Sequence, residues 1–555
     1  MRLAVAATAL VFALIVGRLA SIQVLSHDRY KRLADAQHTH RVVMEARRGR
    51  ILDRNGFLLA GNRAVVSFEV YWPSVPRGEG HLIDSLASRL GDRAMVGVPV
   101  DRRGRNQIIA RNIPYEDVSD LLEGNLPLGV NWTVGSRRTY PLGDLAASVV
   151  GRCRDGALEG LESKLNSLLA GKDGQRYVQR SAYPGLSMTD PEAENLLPRD
   201  GIDVMLTIDS RFQCIVQREL AKAVQRSGSR WGSAVVVDPR NGDVLAMGNY
   251  PVRAGNGSLA MNYAVQGYHE PGSTFKIVTL SACLEEGAVI PSDTFDCSRG
   301  QIAVADRTIS DCHRFGPLSV EEILSHSSNV GTIKMANLLD DEVFYCYCRD
   351  FGFGSKTGVE LPGESEGILK PPDQWSGVSK ASIAIGQEVT VTPLQLAMAY
   401  AAIANGGVLY QPRLVAASRS EEGWRNWATF PLHRVLSEET SREIRRMLAT
   451  AVREGTGTTA RIPQVAVGGK TGTAERLSVG TGEYLSAFAG MVPAHHPSVV
   501  VVVVIDSPES EYRFGSALAA PVFKDVVSSM LATEPEIALG PYRSTEDELA
   551  ARGPR

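Results

Sequence analysis

The chain lacks a charge excess, a thiol pattern and a histidine cluster. Its 555 residues carry a net charge of −3, and no long single-sign run occurs. Phosphate backbones are recognised by concentrated basic surface, so no nucleic-acid partner is expected. Seven cysteines are present without a CxxC, and no His/Cys set has zinc spacing. No bound metal is therefore expected. An odd number of thiols cannot all pair within one chain. Cys297 and Cys312 flank a hairpin-like segment and could be bridged in an oxidising compartment; buried unpaired thiols are the equal alternative. There is no internal repeat and no low-complexity tract.

Hydrophobic residues make up 44% and charged residues 22%. Most of the chain should be globular, and its length calls for two or three domains. Residues 3–17 carry no charge, and beyond Arg18 the apolar character continues to Leu25. About 20 apolar residues span a bilayer, so 3–25 suffices if Arg18 snorkels. The stretch reads as an uncleaved anchor. A cleaved signal peptide needs a small-x-small site after the apolar run, and only "GRLAS" comes close. Arg2 alone precedes the span, whereas Arg18, Arg29, Lys31 and Arg32 follow it, against the positive-inside tendency.

Residues 26–38 are polar and helix-compatible. Asn55-Gly56 between two apolar stretches predicts a type I′ hairpin. "LEGLESKLNSLLAGKDG" (158–174) predicts a helix ended by Gly171. Residues 63–200 hold no catalytic constellation, and "LLPRDGID" (196–203) reads as a linker. A helix is then expected over 210–226, followed by strand, turn and strand over 232–251. "AFAGMVP" (487–493) and "SVVVVVVI" (498–505) predict adjacent strands. The second is uniformly apolar and should be covered on both faces. Residues 520–532 read as a closing helix, and 536–555 as a loose tail. This order describes an antiparallel sheet with helices packed on it and a helical lobe inserted, an α+β fold.

The chemistry gathers in three short stretches. "EPGSTFK" (270–276) puts Ser273 and Lys276 one turn apart at the head of a helix. Serine is a poor nucleophile without a base, and a lysine becomes a base only when burial or another cation lowers its pKa. Alone, the pair is a weak signal, because Ser273 could be an ordinary N-cap. "SHSSNVG" adds Ser327 and Asn329, and "GGKTGTAE" adds Lys470, Thr471, Gly472 and Thr473. Taken singly, the first could cap a helix and the second could be a turn. Their order, with the last entering the final strands, is what carries weight.

This triplet resembles the class B penicillin-binding proteins, the monofunctional peptidoglycan transpeptidases. "RGRILDRNGFLLA" (48–60), "LTIDSRFQ" (206–213), "VVVDPRNGDVLAM" (235–247) and "VTPLQLAMAYAAIANGG" (391–407) are similar to that family too. Within it, "EPGSTFK" and "GSALAAPVFKDV" (515–526) look more like the cell-division enzyme than the elongation one. The resemblance implies an anchor (1–25), an α+β pedestal of the dimerisation type (26–200), a serine β-lactamase-like transpeptidase domain (201–535) and a tail (536–555). It implies that Ser273 attacks a D-Ala-D-Ala stem peptide and Lys276 takes its proton. Ser327 would relay the proton to the leaving amine, and Asn329 would fix Lys276 and bind the substrate amide. Lys470 would help keep Lys276 neutral and, with Thr471 and Thr473, bind the terminal carboxylate. Gly472 would leave room for substrate backbone. The backbone N–H groups of Ser273 and Thr473 would form an oxyanion hole, each donor contributing about 3 kcal/mol. No cofactor is implied. The implied partners are nascent peptidoglycan, β-lactams, the membrane, a polytopic glycosyltransferase of the SEDS type and other division proteins. The implied location is the plasma membrane, single-pass, with the catalytic domain outside.

Two departures stand out. His269 replaces a usual tyrosine, and Met261-Asn262-Tyr263 replaces an Arg-Asn-Arg-like run. Three other readings share the motifs: an elongation enzyme, a carboxypeptidase or β-lactamase-like hydrolase, and a non-enzymatic β-lactam sensor or division scaffold. The long N-terminal module argues against a hydrolase, and the intact motif residues argue against a scaffold.

Overall fold

A computed structural model describes residues 2–30, 39–91, 106–154, 156–180, 187–189, 195–255, 257–475, 484–506 and 514–538. The tail beyond 538 and residues 31–38 of the polar stretch lie outside these. The chain divides into two compact units that interleave in sequence. Met1–Gly49, Asn62–Thr139 and Ala170–Gly201 form one; Arg50–Gly61, Tyr140–Leu169 and Ile202–Arg555 form the other.

In the first unit, a helix over Arg2–Ala20 continues as a wider turn to Leu25. Over Val5–Leu25 it is long and apolar enough to cross a membrane, and none of this stretch is buried within the protein. Thr39–Met44 pairs antiparallel with Gly174–Arg180, which pairs in turn with Ser187–Thr189. A separate small core forms where the strand over 65–71 pairs with Asn106–Pro114. The helix Gly80–Leu90 covers it with Ile83, Leu86 and Leu90, spaced to share one face. The expected linker at 196–203 is bonded in place. Leu196 exchanges backbone hydrogen bonds with Gln175, and Arg199 does so with Lys172. Its Pro-Arg-Asp-Gly composition resembles a spacer, but these bonds make it a strand-like edge.

The second unit is built on a five-stranded antiparallel sheet: β1 (Trp231–Val237), β2 (Val244–Tyr250), β3 (Gly468–Glu475), β4 (Tyr484–Val492) and β5 (Val499–Asp506), in the order β2-β1-β5-β4-β3. The run of valines in β5 lies at the centre and is buried throughout, as its lack of alternation requires. Helices α1 (Ser210–Arg226) and α7 (Ala519–Thr533) bury their apolar stripes on one face of the sheet. The other face packs on a lobe carrying α2 (Lys276–Glu285), α3 (Val320–His326), α4 (Asn329–Ala336), α5 (Pro393–Ala404) and α6 (Glu438–Arg453). Helix α5 is buried at every position, which matches its almost wholly apolar sequence.

Two local expectations are corrected, and one open alternative, at the cysteines, is decided. The Asn55-Gly56 hairpin forms, but only Gly56 takes a positive φ, +85°, so the turn is not type I′. Asp53 imposes the longer loop. Its carboxylate accepts the N–H groups of Asn55 and Phe57 at 2.8 Å each. The expected helix at 158–174 is two short turns, Gly160–Lys164 and Asn166–Leu169, separated at Leu165. Leu161, Leu165 and Leu169 are still buried together, so the apolar spacing was sound while the backbone tightened. All seven cysteines are unpaired thiols. The hairpin between Cys297 and Cys312 exists, pairing Gln301–Val304 with Arg307–Ser310. Cys297 is buried with its sulfur 3.6 Å from the Ser328 oxygen, while Cys312 is exposed.

Asp53 also takes the Ser210 hydroxyl at 2.6 Å and the Ser210 N–H at 3.1 Å, and it is fully buried. Asp53→Ala should therefore cost roughly 3 kcal/mol or more, because the buried donors lose a charged acceptor. Thermal unfolding of the purified variant reads this out. A melting midpoint equal to that of the parent protein would contradict it.

Candidate active site

Ser273 lies in a 3-10 turn, Gly272–Phe275, and α2 begins at Lys276. The turn brings residues i and i+3 into line, so Ser273 and Lys276 share an edge. Ser273 does not cap the helix, and its neighbours Pro271, Gly272, Thr274 and Phe275 are all buried. Four contacts hold the turn. Tyr400 donates its hydroxyl to the Thr274 carbonyl at 3.0 Å, and Thr274 donates its own to Pro271 at 2.7 Å. Gly272 N–H bonds the Gly386 carbonyl at 3.0 Å, and Phe275 packs on Phe353 with ring centres 5.0 Å apart. Gly272 has φ +53°, and a Cβ there would sit 2.9 Å from the Thr473 carbonyl oxygen. Glycine is thus required both by conformation and by the closeness of β3. The first backbone bond of the turn runs from Thr274 to Pro271, which leaves the Ser273 N–H outside the ladder.

The second stretch joins two helices. Helix α3 starts with a capping box of Ser319 and Glu322 and ends at Ser327, whose φ of +63° is rare for a serine. Ser328 then caps α4, accepting the Gly331 N–H at 3.0 Å. This sharp change of direction presents Ser327 and Asn329 on either side of Lys276. The Lys276 amine donates to the Ser327 carbonyl at 2.7 Å, the Ser327 hydroxyl at 3.3 Å and the Asn329 Oδ1 at 2.7 Å. The Ser327 hydroxyl donates to the Ser273 hydroxyl at 2.9 Å. Ser273 and Lys276 are therefore connected through Ser327, with no direct bond between them among the described residues. Asn329 spends one amide N–H on the Ser310 carbonyl at 2.9 Å, which leaves the other without a partner among the described residues and open to a ligand.

Strand β3 supplies the third side. The Lys470 amine contacts the Thr471 carbonyl at 3.2 Å, the Thr471 hydroxyl at 3.4 Å and the Thr456 hydroxyl at 3.4 Å. Thr471 donates to Thr456 at 2.9 Å, and Thr473 Oγ1 accepts the Gly515 N–H at 3.1 Å. Gly472 has a packing reason of its own. A Cβ there would meet the Pro271 oxygen and Thr274 Cγ2, each at 2.9 Å. The missing side chain makes room for the turn that carries Ser273. Two residues of the site escaped the sequence reading. Thr456 comes from the segment after α6. Asp311 follows the Gln301–Ser310 hairpin and accepts hydrogen bonds at the start of α4. Neither sits in a recognisable local pattern.

Of the departures from the family pattern, His269, Asn262 and Tyr263 pack into the fold, whereas Met261 is exposed. His269 is buried and exchanges backbone bonds with Val391. Asn262 accepts the Asn249 amide at 2.9 Å, and Tyr263 stacks on Trp231 with centres 4.4 Å apart.

Two buried lysines set the electrostatics. Lys276 is 1% exposed and Lys470 0%. Burial lowers the Lys276 pKa to about 7, while the Asp311 carboxylate and then Cys312 pull it back up. Lys470 is pushed well below the ordinary lysine range, first by burial and then by the charge of Lys276. Burial, rather than repulsion from Lys470, is thus the main cause at Lys276. The amine is a cation below about pH 7 and a free base above it. If this base governs reaction of Ser273, the acylation rate should rise about tenfold per pH unit below that value and level off above it. Stopped-flow acylation by a chromogenic or fluorescent penicillin checks this. A rate independent of pH through neutrality would contradict it.

Residues 232–528 match the family described as the penicillin binding protein transpeptidase domain, and residues 43–206 match the penicillin-binding protein dimerisation domain. Stage V sporulation protein D of Bacillus subtilis is 33% identical over 96% of this chain and 85% of its own length. Peptidoglycan D,D-transpeptidase FtsI of Escherichia coli is 30% identical over 94% of this chain and 90% of its own. A crystal structure of penicillin binding protein 3 from Mycobacterium tuberculosis, complexed with aztreonam, superposes with a TM-score of 0.69 at 30% identity. It covers 91% of this chain and all of that one. The fold, the three converging stretches and these relatives lead to one conclusion: the chain belongs to the class B penicillin-binding proteins, the serine D,D-transpeptidases of peptidoglycan synthesis.

Proposed function

We propose that this chain cross-links stem peptides through an acyl-serine on Ser273, in septal wall synthesis, and that β-lactams trap it at the same serine. The observation that carries the reading is the relay of hydrogen bonds from Ser273 through Ser327 to Lys276. The Ser273 oxygen attacks the carbonyl of the penultimate D-Ala as its proton passes to the neutral Lys276 amine, directly or through Ser327. The oxyanion takes the Ser273 and Thr473 N–H groups. The C–N bond then breaks, Ser327 passes the proton to the departing D-Ala amine, and an ester remains. An amine from a neighbouring stem attacks that ester, loses its proton along the same path and restores Ser273. Asn329 holds Lys276 and offers its second amide N–H to the substrate. Lys470, Thr471 and Thr473 bind the terminal carboxylate.

The same reading divides the chain into an anchor over 1–25, a pedestal over 26–200, a transpeptidase domain over 201–535 and a tail over 536–555. The anchor holds the domain outside the plasma membrane. The septal role rests on "EPGSTFK" and "GSALAAPVFKDV". A SEDS-type glycosyltransferase and other division proteins are the partners it implies, reached through the anchor and the pedestal.

Incubation with a stem-peptide thioester, with and without a D-amino-acid acceptor, tests the reaction. Exchange product should grow with acceptor, and Ser273→Ala should abolish both exchange and penicillin labelling. Hydrolysis alone at every acceptor concentration, or labelling that survives Ser273→Ala, would overturn the proposal.

A further inference from the structure

We propose that Asp311 is a positioning residue of this site, a fixed carboxylate that pins the Ser327–Asn329 segment and serves as counter-charge to Lys276. The inference rests on the reading of Lys276 as the base. Asp311 lies just past the hairpin of Gln301–Val304 and Arg307–Ser310, and its own N–H is tied to the Gly300 carbonyl at 2.9 Å. One carboxylate oxygen accepts the N–H groups of Asn329, in a short bond, and of Val330 at 3.1 Å. The other accepts the hydroxyl of buried Ser328 at 2.8 Å. Three consecutive residues are thereby held by one side chain, immediately after Ser327. That grip lets Ser327 keep its unfavourable φ of +63°. Release it, and the serine has no reason to stay aimed between Ser273 and Lys276.

The hairpin grips Asn329 a second time, because its amide donates to the Ser310 carbonyl. That bond settles which end of the amide faces Lys276, since the oxygen is the end left to accept from the amine. Position and orientation of the segment thus both come from residues 310 and 311, a stretch outside the three motifs.

The charge matters as well as the grip. The ionisable groups acting on Lys276 are Asp311 and Cys312 from this segment, while Lys470, from β3, is itself pushed down by the charge of Lys276. Asp311 is the carboxylate of this set. Its negative charge favours the ammonium form of Lys276, whereas burial opposes it. Removing the charge while keeping the shape should leave Lys276 easier to deprotonate. Removing the grip should misplace Ser327 and slow acylation.

The two effects have opposite signs in one experiment. Acylation of the full-length protein by a fluorescent penicillin is followed across the acid limb for the parent, Asp311→Asn and Asp311→Glu, with thermal melting as the check on folding. In Asp311→Asn the plateau rate should fall roughly ten- to a hundredfold, the size expected for misplaced catalytic groups, while the acid limb moves to lower pH. In Asp311→Glu the charge remains, so the plateau should fall and the limb should stay. A purely structural residue would lower the rate in both variants with the limb unmoved, and that result overturns the proposal, as does an unchanged plateau in Asp311→Asn. Should Asp311→Asn not fold, Ser328→Ala removes one of the three bonds, together with the cap of α4, and leaves the charge, so its melting midpoint is read beside its rate. A lowered plateau with the parent limb is then expected, and an unchanged plateau overturns the proposal. Parent protein that labels without Ser273, or has no acid limb, would refute the underlying reading of the site instead.

Discussion

Two lysine amines share one water-poor cleft, and the rest of the site follows from the cost of that. A buried cation loses its hydration and must either find acceptors or give up its proton. Lys276 has three oxygen acceptors and one nearby carboxylate, and burial still brings its pKa to about 7. Lys470 has longer contacts, at 3.2 to 3.4 Å, and is likewise pushed well below the ordinary lysine range. Because the unfolded chain binds a proton on Lys276 up to the ordinary lysine pKa, the folding cost of this group is full below about pH 7. It shrinks as the pH rises through that window. The fold accepts the cost in return for a base that is unprotonated near neutrality.

The scaffold makes this possible by closeness rather than by special chemistry. Strand β3 and the turn of Ser273 approach until neither Gly272 nor Gly472 has room for a Cβ. The packing around Lys276 leaves it 1% exposed. Ser327 bridges the remaining gap at the cost of a left-handed backbone. The packing of a buried helical lobe against a five-stranded sheet supplies the rigidity that such a geometry needs.

Much of this was legible in the residues. The uniformly apolar β5, the helix over Ser210–Arg226 and the closing helix each carry a strong period or run, and each appears where expected. The three motifs identify the family because their order survives in the chain. What could not be read was convergence. Asp311 and Thr456 reach the site from a hairpin and a loop, and nothing in "TISDCH" or "EGTGTT" announces a neighbour far away in sequence. The packing role of Gly472 was hidden for the same reason: a Cβ there would clash with a turn some two hundred positions earlier. Local turn chemistry failed where a tertiary partner intervened, as Asp53 does beside Asn55-Gly56. The segment 196–203 has a linker's composition, yet its backbone is paired.

The central claim is that Lys276 is a neutral amine at the pH where the protein works. Nuclear magnetic resonance of protein labelled at the lysine Cε and Nζ positions tests it most directly, with Lys276→Arg used to assign the signal. The account predicts one lysine that titrates near pH 7, separate from the surface lysines, together with a second, Lys470, that also titrates well below the surface lysines. A Lys276 signal that stays in the ammonium position until the surface lysines titrate would contradict it.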